Sequence, residues 1–171
     1  VTIHSSHPFP TPDDPVRRLR GRLGGAVSLW TAGSSDEPAG PAGLTVSSLL
    51  VAGGEPGRVL GLLDPDADLT EALLDTGRGV VQLLSWAHRD LADAFAGITP
   101  APGGPWRLAD WVATGHGPRL AQAAAWALVS VETDVEVGWS RLVTCTIDDL
   151  VVGDDPEPLV HRRGRYATPA G

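Results

Sequence analysis

No apolar run in this chain goes far before a glycine or a proline stops it. These two residue types make up 36 of the 171 residues, and they fall between short hydrophobic segments. Proline lacks an amide donor and breaks helices, while glycine weakens them, so long helices are excluded and many short strands joined by turns are favoured. Residues 26–32 (AVSLWTA) and 43–51 (GLTVSSLLV) read as strands, separated by the polar turn GSSDEPAGPA. Two more, 58–63 (RVLGLL) and 79–84 (GVVQLL), follow, and AGGEPG between the second and third strands reads as a hairpin turn. Between 58–63 and 79–84, ADLTEALLDTG predicts a short helix closed by Gly77. Residues 86–96 predict another, with Leu91, Ala92 and Phe95 on one face and Gly97 ending it. In LAQAAAWALVSVETDVEVG the alanines favour helix, but Val129, Val131, Val135 and Val137 keep a period of two and favour strand. With SRLVTCTIDDLVV after it, the chain has six or more strands and two or three short helices. The fold class expected is mainly β, an antiparallel barrel with short helices.

A hydrophobic content of 42% supports one real core, so residues 16–171 are expected to form a single domain behind a flexible arm over 1–15. The opening VTIHSSHPFPTPDDP lacks the basic-then-apolar order of a secretory signal, and no stretch of about 18 apolar residues occurs. A cytoplasmic protein is expected. The net charge of −8 disfavours nucleic acid and anionic membrane as partners. Arg17, Arg18, Arg20 and Arg22 form one basic cluster, read as the solvated face of a short helix that starts after Asp13, Asp14 and Pro15. Cys145 is the sole cysteine, which excludes an internal disulfide, and its apolar setting marks it as a core residue.

Familiar catalytic patterns are missing. Ser85, His88 and Asp90 lie too close along the chain for a nucleophile, base and orienter. His4, His7, His88, His116 and His161 have no metal-ligand spacing, so no metal is expected. The informative stretch is GLTVSSLL, residues 43–50, where Thr45, Ser47 and Ser48 interrupt an apolar run. A buried hydroxyl without a partner costs about 1–3 kcal/mol, so the backbone or a ligand must satisfy these three.

Four stretches in order, RRLRGRLGGAVSLWTAG, GLTVSSLL, GVVQLLSWAHRDLADAFAG and PLVHRRGRYATP, resemble the flavin reductase family. The resemblance implies an FMN-binding split β-barrel, with the flavin at a homodimer interface and the last stretch as a C-terminal strand. It places Thr45, Val46, Ser47 and Ser48 along the polar edge of the isoalloxazine ring, whose carbonyl and imide groups suit a strand edge. It implies hydride transfer from NAD(P)H to flavin N5, FMN as cofactor with riboflavin or FAD as alternatives, and a flavin-dependent monooxygenase as a possible partner. No side chain is required as acid or base. Six tryptophans in a domain of this size also favour a dimer seam.

The chain departs from the family pattern twice. Where the family has Gly-Asp-His beside the nicotinamide, this sequence has Gly138, Trp139 and Ser140. Where the family holds the FMN phosphate with Asn and hydroxyl groups, it has LLDPDADLT, so that Asp64, Asp66 and Asp68 face a phosphate with Thr70 as the only hydroxyl donor. His88 and Arg89 are candidates to compensate. Asp68 and Glu71 could instead form a capping box that turns the carboxylate away. The alternative function is a non-catalytic split-barrel module that binds flavin or another planar ligand.

Overall fold

The computed structural model describes residues 14–155 and 157–169; residues 1–13 of the expected arm lie outside them. Helix α1 (Pro15–Leu23) starts on Asp14, whose carboxylate accepts from the Val16 amide at 2.9 Å, with proline at its first position. Pro15 is thus already helical, one residue inside the expected arm. Strands β1 (Gly25–Ala26), β2 (Ser28–Ala32), β3 (Ala42–Val46), β4 (Leu49–Ala52) and β5 (Arg58–Leu63) follow. Helix α2 (Asp68–Thr76) ends on Gly77 in the left-handed region and leads to β6 (Arg78–Leu83). A tight helical turn at Trp86–His88 runs into α3 (Arg89–Phe95), and a second, Pro105–Leu108, precedes β7 (Trp111–Thr114) and β8 (Gly117–Leu120). The long hairpin β9 (Ala125–Val137) and β10 (Ser140–Val152) and the short hairpin β11 (Val160–Arg162) and β12 (Arg165–Ala167) complete the chain.

Seven strands form one antiparallel sheet in the order β3-β2-β6-β9-β10-β5-β4. Its two edge strands are consecutive in sequence, separated only by Ser47 and Ser48. The Leu62 amide donates to the Ser48 carbonyl at 2.9 Å, which extends the β4–β5 ladder, and the sheet curls enough that β3 comes into contact with β5. The single strand expected over 43–51 is therefore two strands that serve opposite edges. No ladder joins the two edge strands, so the barrel stays split, and the chain itself crosses the seam. The ambiguous alanine-rich segment is strand, with Ala125, Ala127 and Val129 buried in alternation. The C-terminal stretch expected as one strand is a hairpin, turned at Arg163 (φ 52°) and Gly164, and it pairs through β11 with β1 in a small separate sheet.

The barrel interior is filled by Trp30, Leu63, Leu69, Leu73, Val129 and Val143, with Cys145 among them. Burial, reinforced by Asp148, pushes the Cys145 thiol up to about 12, as fits a core residue. A second cluster packs α3 against the outside of the sheet, where Phe95 meets the rings of Trp106 and Trp111 edge-on at 4.9 and 5.9 Å. Gly61 is glycine for lack of room, since a Cβ there would lie 2.8 Å from Cη2 of Trp30.

One fully buried polar side chain ties the β7–β8 hairpin to the barrel. Gln82 accepts from the Leu120 amide at 2.6 Å and donates to Thr31 Oγ1 at 3.3 Å, and that hydroxyl donates to the Pro118 carbonyl at 2.6 Å. Gln82→Leu keeps the volume but strands the Leu120 amide, so it should cost about 1–3 kcal/mol. A lowered urea midpoint with an unchanged slope is the expected reading.

Candidate functional site

The barrel seam answers what the three hydroxyls of GLTVSSLL are for. Thr45 lies on β3, and its Oγ1 donates to the Ala92 carbonyl of α3 at 2.7 Å. Val46 is buried, and its carbonyl accepts from Ser28 Oγ at 2.7 Å; that hydroxyl accepts in turn from Trp30 Nε1 at 3.0 Å. Ser47 is exposed and Ser48 half-buried, and neither hydroxyl has a partner among the described residues. The protein satisfies one hydroxyl of the three and leaves two open to solvent or to a ligand. Gly25 of β1 packs closely here, for a Cβ on it would lie 3.2 Å from the Ser47 carbonyl oxygen.

The acidic segment after β5 organises itself. Asp64 Oδ1 accepts from the Asp66 amide at 3.0 Å, and the Asp64 carbonyl accepts from Thr70 Oγ1 at 2.6 Å. The Thr70 hydroxyl proton is thus spent inside a buried contact. The capping box expected from Asp68 and Glu71 does not form, because Ala67 is the cap residue and makes no side-chain bond. Both acids lie in the first turn of α2, where the positive end of the helix dipole favours them. Beside α2 opens a depression of about 520 Å³, lined by Asp66, Thr70, Glu71, Asp75 and Arg141 among others. Arg141 pairs with Asp134, while its Nε is buried without an acceptor. The sequence reading missed Arg141, although the inward alternation of Val143 and Cys145 along β10 extends to it.

His88 and Arg89 form a separate pair. His88 Nδ1 lies 3.2 Å from the Ser85 amide nitrogen and 3.0 Å from Ser85 Oγ, closing the turn that opens α3. Asp90 is exposed and contacts Arg89 at 3.8 Å, so Ser85, His88 and Asp90 make no triad. Arg89 donates to the Trp86 carbonyl at 3.2 Å and stacks over the Trp86 ring at 5.1 Å. Neither residue lines the depression beside α2 that Thr70 joins. The site residues expected from sequence therefore gather in three places: the seam, the Asp64–Thr70 turn and the start of α3.

Burial holds His88 below the ordinary histidine range, with Asp155 opposing weakly, and an Nδ1 that accepts from an amide belongs to the neutral ring. The stability this supplies is complete above the unfolded pKa of about 6.5 and is lost as pH falls through the lower folded value. Thermal melts should thus drop as pH is lowered below about 6.5, and His88→Gln, which can still accept from Ser85, should flatten that limb.

The Gly138-Trp139-Ser140 departure lies at the tip of the β9–β10 hairpin. Gly138 turns it at φ 58°, Trp139 is 66% exposed, and Ser140 pairs with Val137.

Residues 20–170 match the family model described as "Flavin reductase like domain". A relative from Variovorax paradoxus (strain S110), called FMN reductase (NADH) RutF, is 30% identical, with 95% of this chain and 92% of the relative covered. Among solved structures, the Streptomyces globisporus C-1027 NADH:FAD oxidoreductase SgcE6 superposes with a TM-score of 0.81 at 23% identity, covering 96% of this chain and 99% of that one. The styrene monooxygenase flavin reductase SMOB from Pseudomonas putida S12 gives a TM-score of 0.78 at 21% identity, over 91% and 97% of the two chains.

Proposed function

This chain belongs to the flavin reductase-like family, and from that premise we propose that it binds a flavin along the Ser47–Ser48 seam and reduces it with NAD(P)H, as a cytoplasmic homodimer. The observation that carries this reading is the pair of hydroxyls, without a partner among the described residues, where the chain crosses from one barrel edge to the other. Their donors and the adjoining strand backbone fit the polar edge of an isoalloxazine ring. The flavin, when bound, supplies the hydride acceptor. The chain contributes position: the Thr45 bond to α3 and the Ser28 bond to Val46 fix the strand on which Ser47 and Ser48 sit. Two relatives in fold, SMOB among them, are named for partnership with a flavin-using enzyme, which supports a monooxygenase as consumer of the reduced flavin. Exposed Leu50, Val51, Leu62 and Val152 on the barrel support a second subunit.

The residues suit the ring better than the phosphate. Asp64, Asp66 and Thr70 are engaged with one another or with their own turn, and His88 is neutral. Riboflavin should therefore bind within about tenfold of FMN, or about 1.4 kcal/mol. Fluorescence titration with both flavins, followed by NADH and NADPH oxidation in their presence, tests site and activity together. An FMN preference of about a hundredfold, 2.7 kcal/mol, would show that the phosphate has a working subsite. The second reading, a flavin-binding module without reductase activity, is favoured by Trp139 and Ser140 at the hairpin tip; flavin bound with no pyridine-nucleotide oxidation would establish it.

A further inference from the structure

Helix α1 has an apolar face that none of the described residues buries. Val16, Leu19 and Leu23 recur at helical spacing and are 72, 64 and 77% exposed, and none of the nine residues is buried. A helix this short is marginal alone in water, since helices in proteins draw their stability from packing an apolar face. Among the described residues the body of its own chain meets it at β11 and tethers it through the Arg163 amide, which donates to the Gly21 carbonyl at 2.8 Å. The rest of the helix surface is Arg17, Arg18, Arg20 and Arg22, with no acid, and among the described residues none of the four forms an ion pair. Removing those four positive charges from the net −8 leaves the remainder of the chain at −12. A second copy is therefore strongly complementary to the helix in charge.

Such a copy also presents a matching surface. A depression of about 470 Å³ lies between the β4–β5 turn and β10. Val51, Ala52, Ile147 and Leu150 give it an apolar lining; Asp149 adds an exposed carboxylate, while the Asp148 carboxylate is already held by His116 at 2.8 Å and by Ser130 at 2.6 Å. It adjoins β4, a strand at the sheet edge on which Leu50 and Val51 are exposed and call for cover. No residue of α1 lines it within the same chain.

We infer that α1 is a dimer clasp, its Val16, Leu19 and Leu23 stripe seated in the Val51–Leu150 depression of a second copy with its arginines toward Asp149. The inference rests on the homodimer proposed above and adds the contact that builds it. It also links assembly to the site, because α1 runs through Gly24 into Gly25, whose backbone abuts the Ser47 carbonyl. Docking the helix on a partner braces the seam from one side.

Sedimentation velocity of the full chain tests this, comparing wild type with L19D/L23D. Neither leucine is buried in its own chain, so the variant should keep its circular dichroism while dimer affinity falls about a hundredfold. A second measurement locates the contact: Leu19→Cys mixed with Val51→Cys should give a disulfide-linked dimer under mild oxidation, with Cys145 buried and inert. A wild-type dimer that L19D/L23D leaves intact, with no cross-link in the mixture, overturns the clasp and leaves the homodimer standing. A wild type that stays monomeric at all concentrations overturns both. Monomers that float with anionic vesicles through α1 would also overturn it, assigning the helix to a membrane surface.

Discussion

Trp30→Ala is expected to cost about 3–5 kcal/mol of stability, a large share of the roughly 5–15 kcal/mol a domain of this kind possesses. Trp30 is the largest of the fully buried side chains and fills the barrel interior, with its ring edge against the bare backbone of Gly61. Truncation would open a cavity that a close-packed interior cannot readily collapse. The damage should reach the seam as well. Trp30 Nε1 donates to Ser28 Oγ, which donates to the Val46 carbonyl, one residue before Ser47. Flavin affinity measured well below the unfolding midpoint should fall in Trp30→Ala, and fall less in Trp30→Phe, which keeps most of the volume and leaves Ser28 free to hold Val46. Urea titration gives the first quantity and fluorescence titration the second. A loss under about 1 kcal/mol for Trp30→Ala would mean that the ring is not the keystone its burial indicates.

The second large effect is on rate. Replacing Trp139 by Asp and Ser140 by His restores at the β9–β10 turn the Gly-Asp-His that the family resemblance implies, and turnover of NAD(P)H with added flavin should rise at least about tenfold, since placing the nicotinamide against the flavin lowers the barrier without any acid or base. Trp139 is exposed and Ser140 begins a strand at the hairpin tip, so the exchange leaves the two hydrophobic clusters untouched. Melting temperature should stay nearly constant while activity changes. Wild-type turnover already near 10 per second, typical of efficient enzymes, would show that the imidazole is dispensable here.

Much of the architecture was legible because it rests on local signals. Gly77 and Gly97 end their helices where glycine can take up the left-handed conformation, and the alternation of valines outvoted the alanines in β9 because Ala125 and Ala127 fit the crowded interior. What escaped was set by partners distant in sequence. Nothing in GLTVSSLLV marks a break, and only the pairing of β3 with β2 and of β4 with β5 divides it at the serines. The Thr45 hydroxyl was grouped with those of Ser47 and Ser48, yet its acceptor is the Ala92 carbonyl, 47 residues away. At α2 the expected cap at Asp68 gave way to a turn built by Asp64, Asp66 and Thr70, a competition among short polar side chains that sequence alone does not rank. The C-terminal hairpin depended on Arg163 adopting a positive φ, which is uncommon outside glycine and left no trace in the pattern.

The strand order carries a consequence for how the chain is made. β6 and β5 are bridged only by β9 and β10, so the five strands of the sheet made before them form two ladders, β3-β2-β6 and β5-β4, with no pairing between the two. During synthesis both pieces would carry open edges while more than a hundred residues have left the ribosome. Such late, long-range pairing is slow and leaves unpaired edges exposed to other chains. The two ladders can join only after the β9–β10 hairpin emerges, and yield in a cell should depend more on chaperone supply and growth temperature than on the stability of the finished fold.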